Sequence, residues 1–553
     1  VNLLEERWIP VRRASGLARI APHEIADRAD PVIALAAPRP DFNGALIQFL
    51  IGLVQTAWVW AGEWWDRDAM LAEPPPPERL QALFAPLREA FELDGDGPRF
   101  MQDLTLGAAD RPTLNDVSAL LIDYPGESGA EHNTDLFVKC ESGGPMCVPC
   151  AATALFCLMT NAPEGGRGHY TSLRGNGPLT TLVAFTPATV DLPGGELWRN
   201  VACNVLPAES FATPSGERTL NRVFPWLQPL AKTRNHAGEV WPLDVHPLQI
   251  YWAMPRRIRL DFDGEDEKTC SICHGRCSKT VDRYHNKANG LAYRGEWRHR
   301  LSPHYRPKGE ETLLPEHPRA DGLSYRHWLG WALGGGGKGR RVVPAAVVEE
   351  LLKTRLDEDQ VRLHAFGYHM DHMKPCCWYE TTFPLFSMQL AAAGADAIGI
   401  LARIVERASN AADSAALSLR YAVQEAWLGD ATSRGDLSFV QAAFWNRTEQ
   451  GFFDLVEHVV ALTQREGEAA FDLSKPLLHD WLQLLRRAGL RLFDEMAASS
   501  SVEAGRPARL AAAHRKLRQQ LYGDRLEIAL GLRAAGAPAE KASRKKSKPK
   551  ERK

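Results

Sequence analysis

A clean apolar run of bilayer length is missing from this sequence. The longest candidate, residues 45–60, is interrupted by Gln48, Gln55 and Thr56 and is short for a span, so it reads as a helix buried in a protein core. A basic-then-apolar leader with a cleavage site is missing as well. The composition of a disulfide framework is also absent: ten cysteines in 553 residues, most of them clustered, suit metal ligation in a reducing compartment. Together these absences predict a cytoplasmic protein with no membrane partner. Net charge is scarce too, only −2 at pH 7, but it is unevenly placed. Residues 541–553 hold eight Lys or Arg and one Glu, which leaves the body acidic. Phosphate contact by the body would then depend on local basic patches, because the net field repels anions. The tail itself reads as a disordered solubilising extension, with nucleic-acid binding as its second reading.

Catalytic signatures are equally scarce. No H-E-x-x-H, no G-x-S-x-G and no G-x-G-x-x-G following an expected strand occurs. Glycines 334–337 precede Lys338, yet Gly339 stands where a phosphate loop needs Ser or Thr, and no glycine lies five positions before Gly337. Lone histidines such as His369 and His372 read as surface or packing residues. Nothing in the pattern marks an active site.

The chain is too long for one core, and its 44% hydrophobic and 24% charged residues are ordinary for a globular protein. Residues 1–378 mix strands, short helices and loops without the regular alternation of a doubly wound fold. The expected elements are a short strand over residues 2–11, helices over 45–60 and 78–91, and strands over 179–185, 246–254 and 256–262. From about residue 386 the character changes. Segments 388–409, 411–428, 437–464, 477–498 and 507–521 carry apolar residues at three- and four-residue spacing, which predicts an antiparallel helical bundle. The fold class is therefore α+β: a large mixed domain with a structural zinc site over residues 1–378, a four-helix bundle over 379–530, and the basic tail over 531–553. No internal repeat is evident.

Against this background two cysteine pairs stand out. Cys147-Val-Pro-Cys150 and Cys270-Ser-Ile-Cys273 are C-x2-C knuckles, whose two-residue spacer lets both sulfurs face one ion. They predict a single tetrahedral zinc held by Cys147, Cys150, Cys270 and Cys273, with Cys140 and Cys277 as spare thiols able to replace a ligand. Four sulfur ligands leave no open position for water, so such a site shapes the fold and does no chemistry. Between the knuckles lies Glu164-Gly-Gly-Arg-Gly168. It reads either as a solvated turn or as a bare backbone surface able to approach a ligand closely.

In order and spacing, these residues resemble the CasA-type large subunit of the type I-E CRISPR Cascade surveillance complex. The likeness is carried by Asn2-Leu-Leu, Trp8-Ile-Pro-Val11, Phe100-Met-Gln102, both cysteine pairs, Leu173-Arg-Gly175 with Pro178 and Thr180-Thr181, Gly367-Tyr368, and Phe444-Trp-Asn-Arg-Thr-Glu449. The resemblance implies a subunit that recognises the protospacer-adjacent motif (PAM) of double-stranded DNA from the minor groove and begins unwinding, so that the guide crRNA pairs with the target strand. Its implied partners are the backbone, small-subunit and crRNA-end-binding proteins of the complex and a recruited nuclease-helicase. The subunit itself would not cut.

Transferred residue by residue, the resemblance implies a glycine loop at Glu164, Gly165, Gly166, Arg167 and Gly168. A lysine finger following Arg283-Tyr284 maps to Lys287. A wedge following Gly367-Tyr368 maps to Asp371, His372 and Met373, where the family can place Gln. Phe137 corresponds to an aromatic at the start of a loop that reaches toward the PAM and the guide end. Two other readings stay open on the residues: a zinc-containing nuclease or hydrolase, which would need an open metal position and a general base, and a helical scaffold that binds protein alone.

Overall fold

Pro40 opens the helix around which the first half of the chain is packed. In the computed structural model, which describes residues 1–107, 111–125, 143–166, 168–185, 195–213, 219–235, 238–263, 266–335, 341–353, 361–372, 374–392, 394–428, 435–499 and 507–534, the chain divides into two units, Val1–Gly394 and Ala395–Lys553. Phe137, Arg167, Met373, Cys140 and residues 535–553 of the basic tail lie outside the described residues.

Helix α1 (Pro40–Ala61) starts with its proline where no N–H is needed and stops at Gly62, whose φ of 68° an L side chain would resist. Among the described residues it is the one helix long and apolar enough to cross a membrane, yet 89% of that window is buried inside the protein. The polar residues that interrupt its run are each satisfied there. Gln55 pairs both ways with the main chain of Leu206, at 3.0 and 2.7 Å, and Thr56 accepts the Trp252 indole N–H at 2.9 Å. Phe49, on the same helix, meets Trp8, Phe91, Phe100, Phe156 and Trp252 edge-on at 5.3–5.9 Å between ring centroids. That cluster is the centre of the core.

Of the six sheets among the described residues, three carry the elements of the candidate site. Strands β1 (Ile9–Arg13), β2 (Gly16–Ile20) and β3 (Val32–Leu35) form one, in the order β2-β1-β3. A second is built on a long strand near residue 280. There β4 (Thr113–Asp116) and β5 (Met146–Cys147) flank one side of β10 (Thr280–Lys287), and β7 (Arg257–Asp263) pairs antiparallel along the other, from Thr280↔Asp263 to Lys287↔Arg257. Helix α2 (Val148–Asn161) leaves β5 directly, and the short strands β8 (Lys268–Thr269) and β9 (Arg276–Cys277) form a hairpin before β10. The third sheet pairs β6 (Thr180–Phe185) with β11 (Val361–Asp371), which turns back into β12 (Lys374–Pro384).

The second unit consists of α3 (Ala395–Leu428), α4 (Ser438–Glu466), α5 (Lys475–Ser499) and α6 (Pro507–Tyr522), with short helical turns between and after them. Ala408, Ala411, Ala412, Ala415 and Ala416 on α3 are fully buried and let its neighbours approach closely. The Trp481 indole on α5 donates to the Ala408 carbonyl at 3.1 Å.

Several elements differ from expectation for identifiable reasons. Residues 246–254 do not form a strand: Pro247 cannot donate to a ladder, His246 caps Leu248 N–H at 3.2 Å, and Pro247–Tyr251 winds as a 3₁₀ turn. The helix expected over 78–91 is α-helical only at Pro77–Phe84. Pro86 breaks the ladder and the chain continues as 3₁₀ over Ala85–Phe91. Residues 395–409 and 411–428 run through Asn410 in the single helix α3, because a lone Asn inside an apolar helical period does not stop a helix, while Ser387–Ala392 is a separate short helix. The boundary expected after residue 378 falls inside β12, whose ladder with β11 runs on to Arg362↔Pro384, and the two units part at Gly394/Ala395.

Candidate metal centre and nucleic-acid interface

Cys147 ends β5 and serves as the residue before the first turn of α2, which places Cys150 one turn on with its sulfur back toward the strand. The second knuckle is the loop between β8 and β9. Cys270 N–H donates to Gly275 O at 2.9 Å, His274 N–H to Cys270 O at 3.0 Å, and His274 takes a left-handed φ of 57°. The knuckles are tied to each other by Ser271, whose N–H reaches Pro145 O at 2.8 Å and whose hydroxyl reaches Gly144 O at 3.2 Å. As a result the four sulfurs lie within 4.8 Å of one another, and Cys147 Sγ is 3.7 Å from Cys273 Sγ. A tetrahedron of sulfurs about 2.3 Å from a zinc ion has edges of about 3.8 Å. The donor set fits such an ion.

Electrostatics agree with the geometry. Hydrogen bonds from Cys147 and Cys150 hold the Cys270 thiol well below the usual thiol range. Bonding to Cys147 and Cys270, with burial, pushes Cys150 far up. For Cys147 the bond with Cys150 lowers the value, but bonding to Cys270 and burial outweigh it and carry it up to about 12. Crowding of the sulfurs thus opposes placing several thiolates together, a repulsion that a bound dication would relieve as the ligands lose their protons. The Arg19 guanidinium adds positive charge 3.7 Å from Cys273 Sγ. Cys277 stands apart, its thiol directed to Lys268 O at 3.4 Å.

From the far end of α2 the chain enters the glycine loop. Gly165 N–H donates to His169 O and His169 N–H to Gly166 O, both at 3.1 Å, closing a tight turn in which Gly166 and Gly168 have φ of 80° and 82°. A Cβ on Gly166 would meet nothing within 4 Å, so this backbone is bare and exposed. At Gly168 there is no room: a Cβ would sit 2.6 Å from Asn289 Oδ1 and 2.9 Å from Ala288 Cβ, and Asn289 N–H donates to Gly168 O at 2.7 Å. Asn289 lies two residues beyond Lys287, the last residue of β10. The glycine loop and the Lys287 strand end are therefore joined by a seam. Behind the loop, buried Arg256 donates to the Pro163 carbonyl. Burial lowers this guanidinium to about 10, which leaves it a cation at neutral pH, and burial together with that cation lowers His169.

The β11–β12 hairpin comes to the same place. Asp371 pairs with Lys374, and next to this last pair His372 has φ of 54° and a side chain 94% exposed. Asn176 connects the tip to the glycine loop. Its Oδ1 accepts Glu164 N–H at 3.2 Å, its Nδ2 donates to His372 O at 3.1 Å, and its own carbonyl accepts from His317 Nδ1 at 2.8 Å. The segment carrying Asn176 is anchored by Arg174, a buried cation that donates to Thr180 Oγ1 at 3.0 Å, Ser302 Oγ at 2.9 Å and Gln48 Oε1 at 2.6 Å. Burial lowers Arg174 to about 9.

Of the residues singled out from sequence, the four cysteines meet in one cluster, and Glu164, Gly165, Gly166, Gly168, the Lys287 strand end, Asp371 and His372 belong to one connected region. Phe137, Arg167 and Met373 lie outside the described residues. Sequence reading missed Asn176, Asn289 and Arg256. The flanking glycines of Gly175-Asn-Gly177 and the turn dipeptide Asn289-Gly290 were the available signals for the first two; Arg256 had none.

The family model described as CRISPR-associated protein Cse1 matches residues 2–492. Among solved structures, Cse1 of Thermobifida fusca is similar with a TM-score of 0.66 at 16% identity, covering 96% of this chain and 98% of that one. CasA (Cse1) of Thermus thermophilus gives 0.62 at 19% identity, covering 95% and 99%. A chain of a CRISPR RNA-guided surveillance complex gives 0.60 at 16% identity, with the same coverage.

Proposed function

The chain belongs to the CRISPR-associated Cse1 family, and from that premise we propose that it is the large subunit of a type I-E Cascade surveillance complex, reading the PAM of duplex DNA from the minor groove and starting strand separation. The observation that carries this reading is the connected region in which a side-chain-free loop, the strand end at Lys287 and an exposed hairpin tip are held together by Asn289 and Asn176. Each part suits one step. A bare glycine backbone can lie against a groove floor, and a lysine can reach the acceptors there. The minor groove offers a nearly degenerate pattern, so such a reader tolerates several PAMs. The hairpin tip, with Asp371 and His372, would then separate the adjacent base step, at a cost of about a few kcal/mol, and open a seed for crRNA pairing. Buried Arg256 supplies positive charge behind the loop, which favours phosphate despite the acidic body.

Zinc, held by Cys147, Cys150, Cys270 and Cys273, would fix the shape of this region. With four protein sulfurs the ion has no place for water, so the subunit contributes binding while cleavage falls to a recruited nuclease-helicase. The helical unit would contact neighbouring subunits and the opened DNA. The test is affinity of the assembled complex, at matched salt because phosphate contacts are salt-dependent, for a duplex with a good PAM, a duplex with a scrambled PAM and the complementary single strand. Gly166→Asp should abolish the preference for the good PAM and spare the single strand. Equal affinity of the native complex for both duplexes would overturn the reading.

A further inference from the structure

Asn176 occupies an unusual position between two parts that the reading above assigns to different steps. The glycine loop would sense the PAM, while the hairpin tip would part the strands. Their only described direct link through one side chain is the Asn176 amide, which accepts from Glu164 N–H at 3.2 Å and donates to His372 O at 3.1 Å. Both partners are main-chain groups. The link therefore fixes backbone positions whatever side chains stand at the loop and the tip.

The amide is itself held rigidly. Gly175 and Gly177 flank it with φ of 85° and 52°, and a Cβ on Gly177 would strike Tyr368 O at 2.7 Å, so this segment lies directly against β11. Its carbonyl is fixed by His317 at 2.8 Å, and Arg174, two residues before it, is locked to Gln48, Thr180 and Ser302. A rigid amide with one acceptor and one donor in use spans two otherwise exposed turns. We propose that Asn176 is a positioning residue that couples PAM engagement to strand opening, by holding the hairpin tip in register with the glycine loop. The inference rests on the PAM-reading function proposed above.

The coupling role predicts a split that a merely structural role would not produce. Complexes carrying native chain, Asn176→Ala or Asn176→Asp are compared on three targets: a fully paired duplex with a good PAM, the same duplex with the PAM-adjacent steps pre-opened by mismatches, and the complementary single strand. Asn176→Ala should weaken binding to the fully paired duplex by about tenfold, the worth of two modest net hydrogen bonds, and leave the pre-opened duplex and single strand within about twofold. Asn176→Asp keeps the acceptor for Glu164 N–H but sets a carboxylate against the His372 carbonyl, so it should reproduce the opening defect even if the alanine variant folds poorly. Unchanged binding to the paired duplex, or an equal loss on all three targets, would overturn the coupling role. A native complex that ignores the PAM would instead defeat the underlying reading, and the coupling with it, before any variant is considered.

Discussion

Gly166 and Gly168 have nearly the same φ, 80° and 82°, but opposite surroundings, and alanine at each separates conformational strain from lost packing. A left-handed L residue costs about 1–2 kcal/mol, and this applies to both. Gly168→Ala also drives a methyl to within 2.9 Å of Ala288 Cβ and 2.6 Å of Asn289 Oδ1, which must displace the 2.7 Å bond from Asn289 N–H to Gly168 O. Losing that bond adds about 1 kcal/mol. The total of about 2–3 kcal/mol corresponds to a rise of about 30- to 150-fold in the open population of the seam. Hydrogen exchange at the Asn289 amide reports that population directly. It should accelerate by this factor in Gly168→Ala and by less than about threefold in Gly166→Ala, whose strain stays in its own turn. In DNA binding both variants should lose affinity for a PAM-bearing duplex, Gly166→Ala because its methyl enters the groove and Gly168→Ala because loop and lysine separate. Equal exchange at Asn289 in the two variants would refute the seam.

Three further outcomes are expected. Cys150→Ser combined with Cys273→Ser should release about one zinc per chain and lower the melting temperature; metal analysis that finds zinc retained, or none in the native protein, would refute the site. Burial pulls His304 down to about 4 and His299 well below the histidine range, so between about pH 6.5 and 4 the unfolded chain binds more protons and stability is lost as pH falls through that window, by about 3 kcal/mol from His304 alone. Urea titrations of native protein and His304→Gln across this range should diverge, and parallel curves would count against it. Trp481→Ala should destabilise the second unit by about 3–5 kcal/mol, through loss of its buried ring and its bond to Ala408, without altering PAM preference or metal content in the first.

How much of this was legible in the sequence follows from the range of the interactions. The cysteine cluster was legible because a C-x2-C spacing constrains two sulfurs locally, and only the meeting of two knuckles had to be supplied by the fold. The helices of the second unit were legible from periodicity, although Asn410 was read as a break where α3 runs straight through Ser409-Asn410-Ala411. The domain boundary failed for a different reason. Residues 379–384 complete a ladder with β11, and strand pairing is invisible until the partner is known. The candidate interface was half legible. Its glycines announce themselves, but Gly168 matters because Asn289 approaches it, and Asn176 matters because it lies between Glu164 and His372, which are 208 residues apart in the chain.

The position of the cysteine cluster relative to the candidate interface suggests what a structural ion bound there would do. Two rods leave it together. Helix α2 begins at the first knuckle and, over 14 residues, extends about 21 Å before releasing the chain into the glycine loop. Strand β10 begins beside the same knuckle, with Thr280 paired to Cys147, and over 8 residues extends about 26 Å before ending at Lys287. One rod thus delivers the loop and the other delivers the lysine. The chain beyond their far ends meets at Gly168 and Asn289, so an error in relative height at the cysteines is passed toward the seam, because helix and strand both resist stretching. A displacement of a single ångström would already spoil a 2.7 Å hydrogen bond. Zinc removal should therefore raise exchange at the Asn289 amide, about 20 Å from the nearest ligand by these lengths, before it unfolds the first unit; simultaneous loss of protection throughout the unit would mean that the ion maintains the fold as a whole and sets no register.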